Sequence, residues 1–177
     1  MPFEFKKADI DDIILIKTKR SVDDRGYFIK GFEMEPFSSF LKDSFVEDYV
    51  SHSKKNVLRG LHYQTEPKVQ GKYITVLSGK IVDVVIDIRE KSKTFQMYSM
   101  NELSPQGWDS VWIPKGFAHG FLSMEDNTIV LNRSTGEFDT SLERGIRWDD
   151  PFFGINWPIY DPIISEKDSS WRLWESK

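Results

Sequence analysis

Apolar and polar positions alternate along most of this chain with a period of two, the signature of half-buried strands rather than of helices. In "GKYITVLSGKIVDVVIDIR", Val82, Val84, Ile86 and Ile88 face one way, and Asp83, Val85, Asp87 and Arg89 the other. With Ser78-Gly79-Lys80 as its loop, this stretch predicts a β-hairpin. "DSVWIPKGFAHGFLSM" predicts two more short strands around Pro114-Lys115-Gly116, and "TIVLNRST" predicts another. Helical spacing occurs once, where Phe37, Phe40 and Leu41 of "EMEPFSSFLKD" fall at i, i+3 and i+4. No repeat, low-complexity stretch or linker interrupts the pattern, so residues 1–177 read as one domain. Many short strands punctuated by Gly and Pro predict an all-β barrel or jelly roll. Solvent is the expected setting for Asp87. For Asp83 an inward, hydrogen-bonded setting is equally open.

One segment breaks the alternation. "NVLRGLHYQ", Asn56 to Gln64, has apolar bulk in Val57, Leu58, Leu61 and Tyr63, yet carries Arg59, Gly60 and His62 at its centre. A strand that only packs has no use for Arg59 or His62, and glycine weakens it. Strict alternation sends Arg59 and His62 to opposite faces. A β-bulge at Gly60 would re-phase the strand and turn both toward one cavity. The competing reading makes Arg59 a surface residue and Gly60 a site of close packing.

Composition narrows the function classes. The 177 residues carry a net charge of −4, with 24 Lys and Arg scattered among 28 Asp and Glu. No basic stripe is present, so nucleic acid is not an expected partner. With no cysteine, disulfides, thiolate metal sites and cysteine nucleophiles are excluded together. No apolar run approaches ~20 residues, and "MPFEFKKADIDDIILI" lacks the layout of a signal peptide. A cytoplasmic protein without a membrane partner is the expectation. Four of the six tryptophans follow residue 147, which predicts a C-terminal aromatic cluster packed on the domain or on a second subunit.

Candidate chemistry centres on three histidines, His52, His62 and His119. An imidazole with a pKa near ~6.5 suits proton transfer at neutral pH. His52, in "SHSKK", reads as surface, whereas His119 lies between Phe117 and Phe121 and could be a satisfied core histidine. His62 has three possible settings. A serine triad is disfavoured because no "GxSxG" occurs. "PKGFAH" resembles the second metal motif of the cupin barrels, but their first motif needs two histidines one residue apart, where this chain has His62-Tyr63-Gln64. Only His62, Glu66 and His119 would remain as ligands, so no metal is expected. The third setting is cofactor-free acid–base chemistry. Removing a proton beside a ketone takes a base and a donor or cation at the enolate oxygen. His62 can be the base and Lys72 the cation, with a carboxylate behind the imidazole and the planar fork of Arg59 for phosphate.

"DDRGYF" (23–28), "VLRGLHYQ" (57–64), "QGK" (70–72), "VDVVIDIR" (82–89), "WIPKGFAHGF" (112–121), "ERGIRWDDP" (143–151), "GINWP" (154–158) and "ISEKD" (164–168) occur in this order. Together they resemble the dTDP-4-dehydrorhamnose 3,5-epimerase family over nearly the whole chain. The resemblance implies a cupin-type double-stranded β-helix, or jelly roll, with short flanking helices. It also implies a homodimer that uses no metal or other cofactor and epimerises C3 and C5 of a nucleotide-linked 4-keto-6-deoxy sugar. By motif, His62 matches the family's base, Asp168 its carboxylate partner and Lys72 the lysine near the C4 oxygen. Arg25, Arg59, His119, Glu143 and Lys167 match nucleotide- or sugar-contacting positions. Asp83 matches a polar position close to the site, and Gln64, which closes "VLRGLHYQ", is grouped with the substrate-contacting residues.

The departures from the family pattern are equally specific. Asn132 stands where the family usually has a tyrosine, its general acid. Lys30 stands where a glutamate is usual, and Phe138 where a second tyrosine is common. Glu47-Asp48-Tyr49 replaces the family's "QDN". An asparagine amide gives up no proton at neutral pH, so three outcomes are open: water held by Asn132 delivers the proton, Tyr49 or Tyr63 takes over, or only one carbon, C3, is inverted. The changes at Lys30, Glu47 and Tyr49 also open the choice of nucleobase. A non-catalytic sugar-nucleotide-binding cupin is the alternative from another class. Retention of His62, Lys72 and Asp168 together favours the enzyme, since a binder needs no proton-transfer pair.

Overall fold

The period-two pattern becomes a set of short strands in the computed structural model, which describes residues 2–174. In chain order these are β1 (Phe3–Lys7), β2 (Ile14–Thr18), β3 (Arg20–Asp23), β4 (Gly26–Ile29), helix α1 (Met34–Phe37), β5 (Glu47–Ser53), β6 (Leu58–Gln64), β7 (Lys72–Ser78), β8 (Ile81–Asp87), β9 (Tyr98–Leu103), β10 (Ser110–Ile113), β11 (Phe117–Ser123), β12 (Thr128–Ser134), β13 (Glu143–Gly145) and helix α2 (Glu166–Ser169). Six strands form one sheet in the order β1-β2-β10-β7-β12-β5. Five form a second, β13-β6-β11-β8-β9, and β3 and β4 make a separate two-stranded hairpin. The two large sheets bury Ile74, Val76, Val111 and Val130 of the first against Ile81, Val85, Phe117 and Phe121 of the second. This is the jelly roll predicted from the strand pattern and the family resemblance.

Two expectations are corrected. The stretch around Ser78-Gly79-Lys80 is not a hairpin. β7 pairs with β10 and β12, whereas β8 pairs with β11 and β9. Gly79, at φ +77, turns the chain from one sheet into the other, and a Cβ there would lie 2.3 Å from Thr128 Oγ1. Alternation reports which face a residue takes, but not which strand lies beside it. Asp87 is likewise not in solvent. It is fully buried and accepts hydrogen bonds from Arg89, Ser92 Oγ and Thr94 Oγ1. Burial alone would raise its pKa, but these donors outweigh it and hold the carboxyl well below the usual range.

The alternation on β8 is real. Val82, Val84 and Ile86 lie on the outer face of the five-stranded sheet, under Ile146, Phe153 and Trp157, with Trp148 and Trp174 packed alongside. The C-terminal aromatic cluster therefore covers its own domain. On the other sheet, Phe37 and Leu41 join Phe3, Ile16, Tyr73 and Trp112 in a second outer cluster, with Phe40 packed against it. The helical spacing marks this patch, although α1 itself is a single turn.

The bulge lies in β6. β11 pairs His119 with His62 and Phe121 with Arg59, so two steps along β11 face three along β6. Gly60 has φ +119, and a Cβ on it would sit 2.5 Å from Gly120 Cα and 2.7 Å from the His119 carbonyl oxygen. Only glycine takes this conformation without strain against the neighbouring backbone. Gly60→Ala should destabilise the fold by about 1–3 kcal/mol, the usual cost of overpacking. Gly31→Ala, whose Cβ would meet nothing within 4 Å, should change stability by less than about 0.5 kcal/mol. Urea unfolding of both variants checks this. Equal midpoints would show that the bulge relaxes freely.

Candidate active site

The extra residue at the bulge puts Arg59 and His62 on one cavity of about 750 Å³ between the two sheets. Its five-stranded wall presents Arg59 and His62 from β6 and His119 and Phe121 from β11. The six-stranded wall presents Glu47 and Tyr49 from β5, Lys72 from β7 and Asn132 from β12. Phe138, Glu143, Lys167 and Asp168 complete the lining.

His62 Nε2 lies 2.7 Å from Asp168 Oδ1, and Asp168 Oδ2 accepts the Gly60 N–H at 3.1 Å. One carboxylate thus holds both the imidazole and the bulge. Asp168 is presented by α2, whose N-cap Ser165 accepts the Asp168 N–H. Burial tends to raise the Asp168 pKa, but the hydrogen bond and charge of His62, together with the Gly60 N–H, bring it below the usual carboxylate value. Trp171 stands edge-on to the His62 ring at 6.4 Å, a neighbour that no sequence motif announces.

A second pair sits in the same wall. His119 Nε2 is 2.6 Å from Asp83 Oδ2, and both residues are buried. His119 is thus both a core histidine and a cavity residue. Lys72 is buried too, and its Nζ donates to the His62 carbonyl at 3.3 Å. Burial lowers its pKa to about 8, with the charges of Glu143 and Asp83 acting against that shift. Lys167 Nζ bonds both oxygens of Glu143, at 2.9 and 3.1 Å.

Asn132 and Tyr49 are direct partners across β12 and β5, and the Asn132 amide donates to the Tyr49 hydroxyl at 2.7 Å. Burial, reinforced by the nearby charge of Glu47, pushes the Tyr49 phenol up to about 12. Glu47 accepts the Phe138 N–H at 2.8 Å, and Arg59 is braced by Ser53 Oγ and the His52 carbonyl.

Other candidates lie off the cavity wall. Gln64, grouped with the substrate contacts, is a strut: its amide nitrogen donates to the Lys68 and Glu137 carbonyls and its oxygen accepts the Asp139 N–H. Arg25 is on the exposed β3–β4 turn beside Asp23, Lys30 pairs with Glu33, and Asp48 pairs with Arg133. The His52 ring meets Asn127, at the surface as its context suggests. Among the described residues no three His, Asp or Glu side chains are grouped to hold a metal ion. The apolar lining, Leu58, Val130, Ile163 and Ile164, carries no sequence signal distinct from core. The cavity thus combines an oriented imidazole, a buried amine and exposed cationic groups, a set able to move a proton beside a carbonyl.

A family model described as dTDP-4-dehydrorhamnose 3,5-epimerase matches residues 7–176. The dTDP-4-dehydrorhamnose 3,5-epimerase of Methanothermobacter thermautotrophicus is 42% identical over 174 residues, covering 96% of this chain and 94% of that protein. The crystal structure of dTDP-4-dehydrorhamnose 3,5-epimerase from Bacillus anthracis, with TDP and pyrophosphate bound, superposes with a TM-score of 0.92 at 34% identity, over 97% of this chain and 99% of the other. The Legionella pneumophila dTDP-6-deoxy-D-glucose-3,5-epimerase, in complex with dTDP-4-keto-L-rhamnose, gives 0.91 at 36% identity, over 97% and 92%. Matches of this extent show that the chain belongs to the dTDP-4-dehydrorhamnose 3,5-epimerase family.

Proposed function

We propose that this protein epimerises C3 and C5 of a dTDP-linked 4-keto-6-deoxy sugar. The observation that carries the reading is the His62–Asp168 pair, 2.7 Å apart, opening onto the same cavity as Lys72. His62 removes the proton beside the C4 ketone. The C–H electrons move into the new double bond and the carbonyl electrons onto oxygen. The Lys72 ammonium stabilises that oxygen, and Asp168 compensates the imidazolium. Arg59 and Lys167 at the cavity edge suit a diphosphate. A cytoplasmic location is part of the proposal.

A homodimer is part of the proposal. Val22, Tyr27 and Phe28 are exposed on the β3–β4 hairpin, and the same hairpin carries Arg25. An exposed apolar hairpin of this kind fits a second copy of the chain. Light scattering at micromolar concentration should give twice the 20.7 kDa chain mass, and Tyr27→Asp with Phe28→Asp should halve it. A monomeric wild type would remove the dimer from this reading.

In D₂O, His62→Ala should lower deuterium uptake at the sugar carbons by at least ~10²-fold, the contribution of a general base. Asp168→Asn should lower it less, since the imidazole remains. Wild-type uptake in His62→Ala would place the base elsewhere.

The Lys72 pKa sets a pH dependence. The amine is charged below about 8, so kcat/KM should fall as pH rises through that value, and Lys72→Met should lack this limb. Its effect on stability has the opposite sign. The unfolded lysine keeps its proton to ~10.4 while the folded one has released it, so the unfolded state binds more protons and the Lys72 contribution to stability rises between about pH 8 and ~10. An activity profile flat across pH 8 would contradict a charged Lys72 in turnover.

A further inference from the structure

Inversion of a carbon needs two groups, because the proton taken from one face of the ring is replaced from the other. His62 occupies the five-stranded wall, so the donor belongs on the six-stranded wall. Asn132 stands there, and its amide releases no proton at neutral pH. Lys72 is engaged at the enolate oxygen in the proposed mechanism, and Glu47 is an acceptor for the Phe138 N–H. Tyr63 is on the wrong side of its strand, packed into the outer cluster with Val82, Val84 and Ile86. That leaves the phenol of Tyr49, which lines the cavity.

We infer that Tyr49 is the proton donor of this epimerase and that Asn132 holds it in place. The inference rests on the function proposed above. Asn132 and Tyr49 face each other in register across β12 and β5, and the amide donates to the phenol oxygen at 2.7 Å. With that oxygen accepting from Asn132, the hydroxyl hydrogen is left to point elsewhere, and the cavity lies beside it. The family pattern has tyrosine at the position of Asn132 and asparagine at that of Tyr49. This chain carries the same two side chains exchanged, which moves the phenol outward by one strand spacing, roughly 4.8 Å. The pair is kept and its order across the sheet is reversed.

The proton accounting closes without a cofactor. His62 takes the proton from carbon, and the electron pair passes into the enolate. The enolate carbon then forms its new C–H bond with the Tyr49 hydroxyl hydrogen, and the O–H electrons remain on the phenolate. The Asn132 amide stabilises that phenolate. Water then reprotonates it, and His62 gives its proton to solvent. A phenol raised to about 12 stays protonated at neutral pH and so is loaded before each turnover. With a donor on the second wall, Asn132 does not itself limit the protein to one carbon.

The test uses dTDP-4-keto-6-deoxyglucose, the C3,C5 epimer of dTDP-4-keto-L-rhamnose, in D₂O followed by NMR. The wild type should return a product inverted and deuterated at both carbons. Tyr49→Phe should lower inversion by ~10²-fold or more, while deuterium still enters the substrate with its configuration retained, returned by His62 to the face it came from. Tyr49→Asn should lose inversion likewise, and adding Asn132→Tyr should recover at least tenfold of it by restoring the family order. Inversion at the wild-type rate in Tyr49→Phe overturns the inference. So does loss of exchange together with inversion in a variant that still binds dTDP. A wild type that neither exchanges nor inverts overturns the functional reading and this inference with it.

Discussion

The Asp168 carboxylate accepts two hydrogen bonds from β6, one from His62 and one from the Gly60 N–H. The second depends on the bulge, and the bulge depends on Gly60 lying against Gly120 with no Cβ between them. Without the bulge, Arg59 and His62 would point to opposite faces of the sheet. Without Asp168, the Gly60 N–H would be buried and unpaired, at a cost of about 1–3 kcal/mol, and the imidazole would lose its orientation. The geometry of the backbone and the proposed chemistry therefore rest on the same two oxygen atoms.

Around that anchor the cavity carries charge that water would normally dissipate. Lys72 is buried beside two histidine–aspartate pairs, and the carboxylates of Glu143 and Asp83 only partly offset its desolvation. An amine held near the physiological range by burial costs stability as an ammonium. It interacts with a developing oxyanion more strongly than a solvated one would. The fully buried Asp87, with its ring of donors, shows the contrasting case: a charge whose partners make it purely structural.

The sequence carried the local grammar of this fold and little of its long-range syntax. The faces of Val82, Val84 and Ile86 were legible because side chains alternate whatever the neighbouring strand is. The connection from β7 to β8 has the sequence of a hairpin because a tight glycine turn can serve a hairpin or a corner, and the choice depends on strands far away in sequence. His62, Lys72 and Asp168 stood out because their chemistry is rare in a packing strand or recurs in a family motif. Gln64 shared the motif but not the cavity, since its position in β6 turns its amide toward the loops at 68 and 137–139. The contact between Tyr49 and Asn132, 83 residues apart, could not be read before the register of β5 and β12 was known.

The anchor also has a direction in time. Synthesis proceeds from the N-terminus, and every strand of both large sheets precedes residue 146, whereas the carboxylate that locks β6 comes at position 168. A nascent chain can therefore pair its sheets while the imidazole is still free to swing. The lock on the imidazole is thus synthesised after the strands it acts on. A polypeptide interrupted before α2 would lack the carboxylate that orients His62, which ties the proposed proton transfer to synthesis past residue 168.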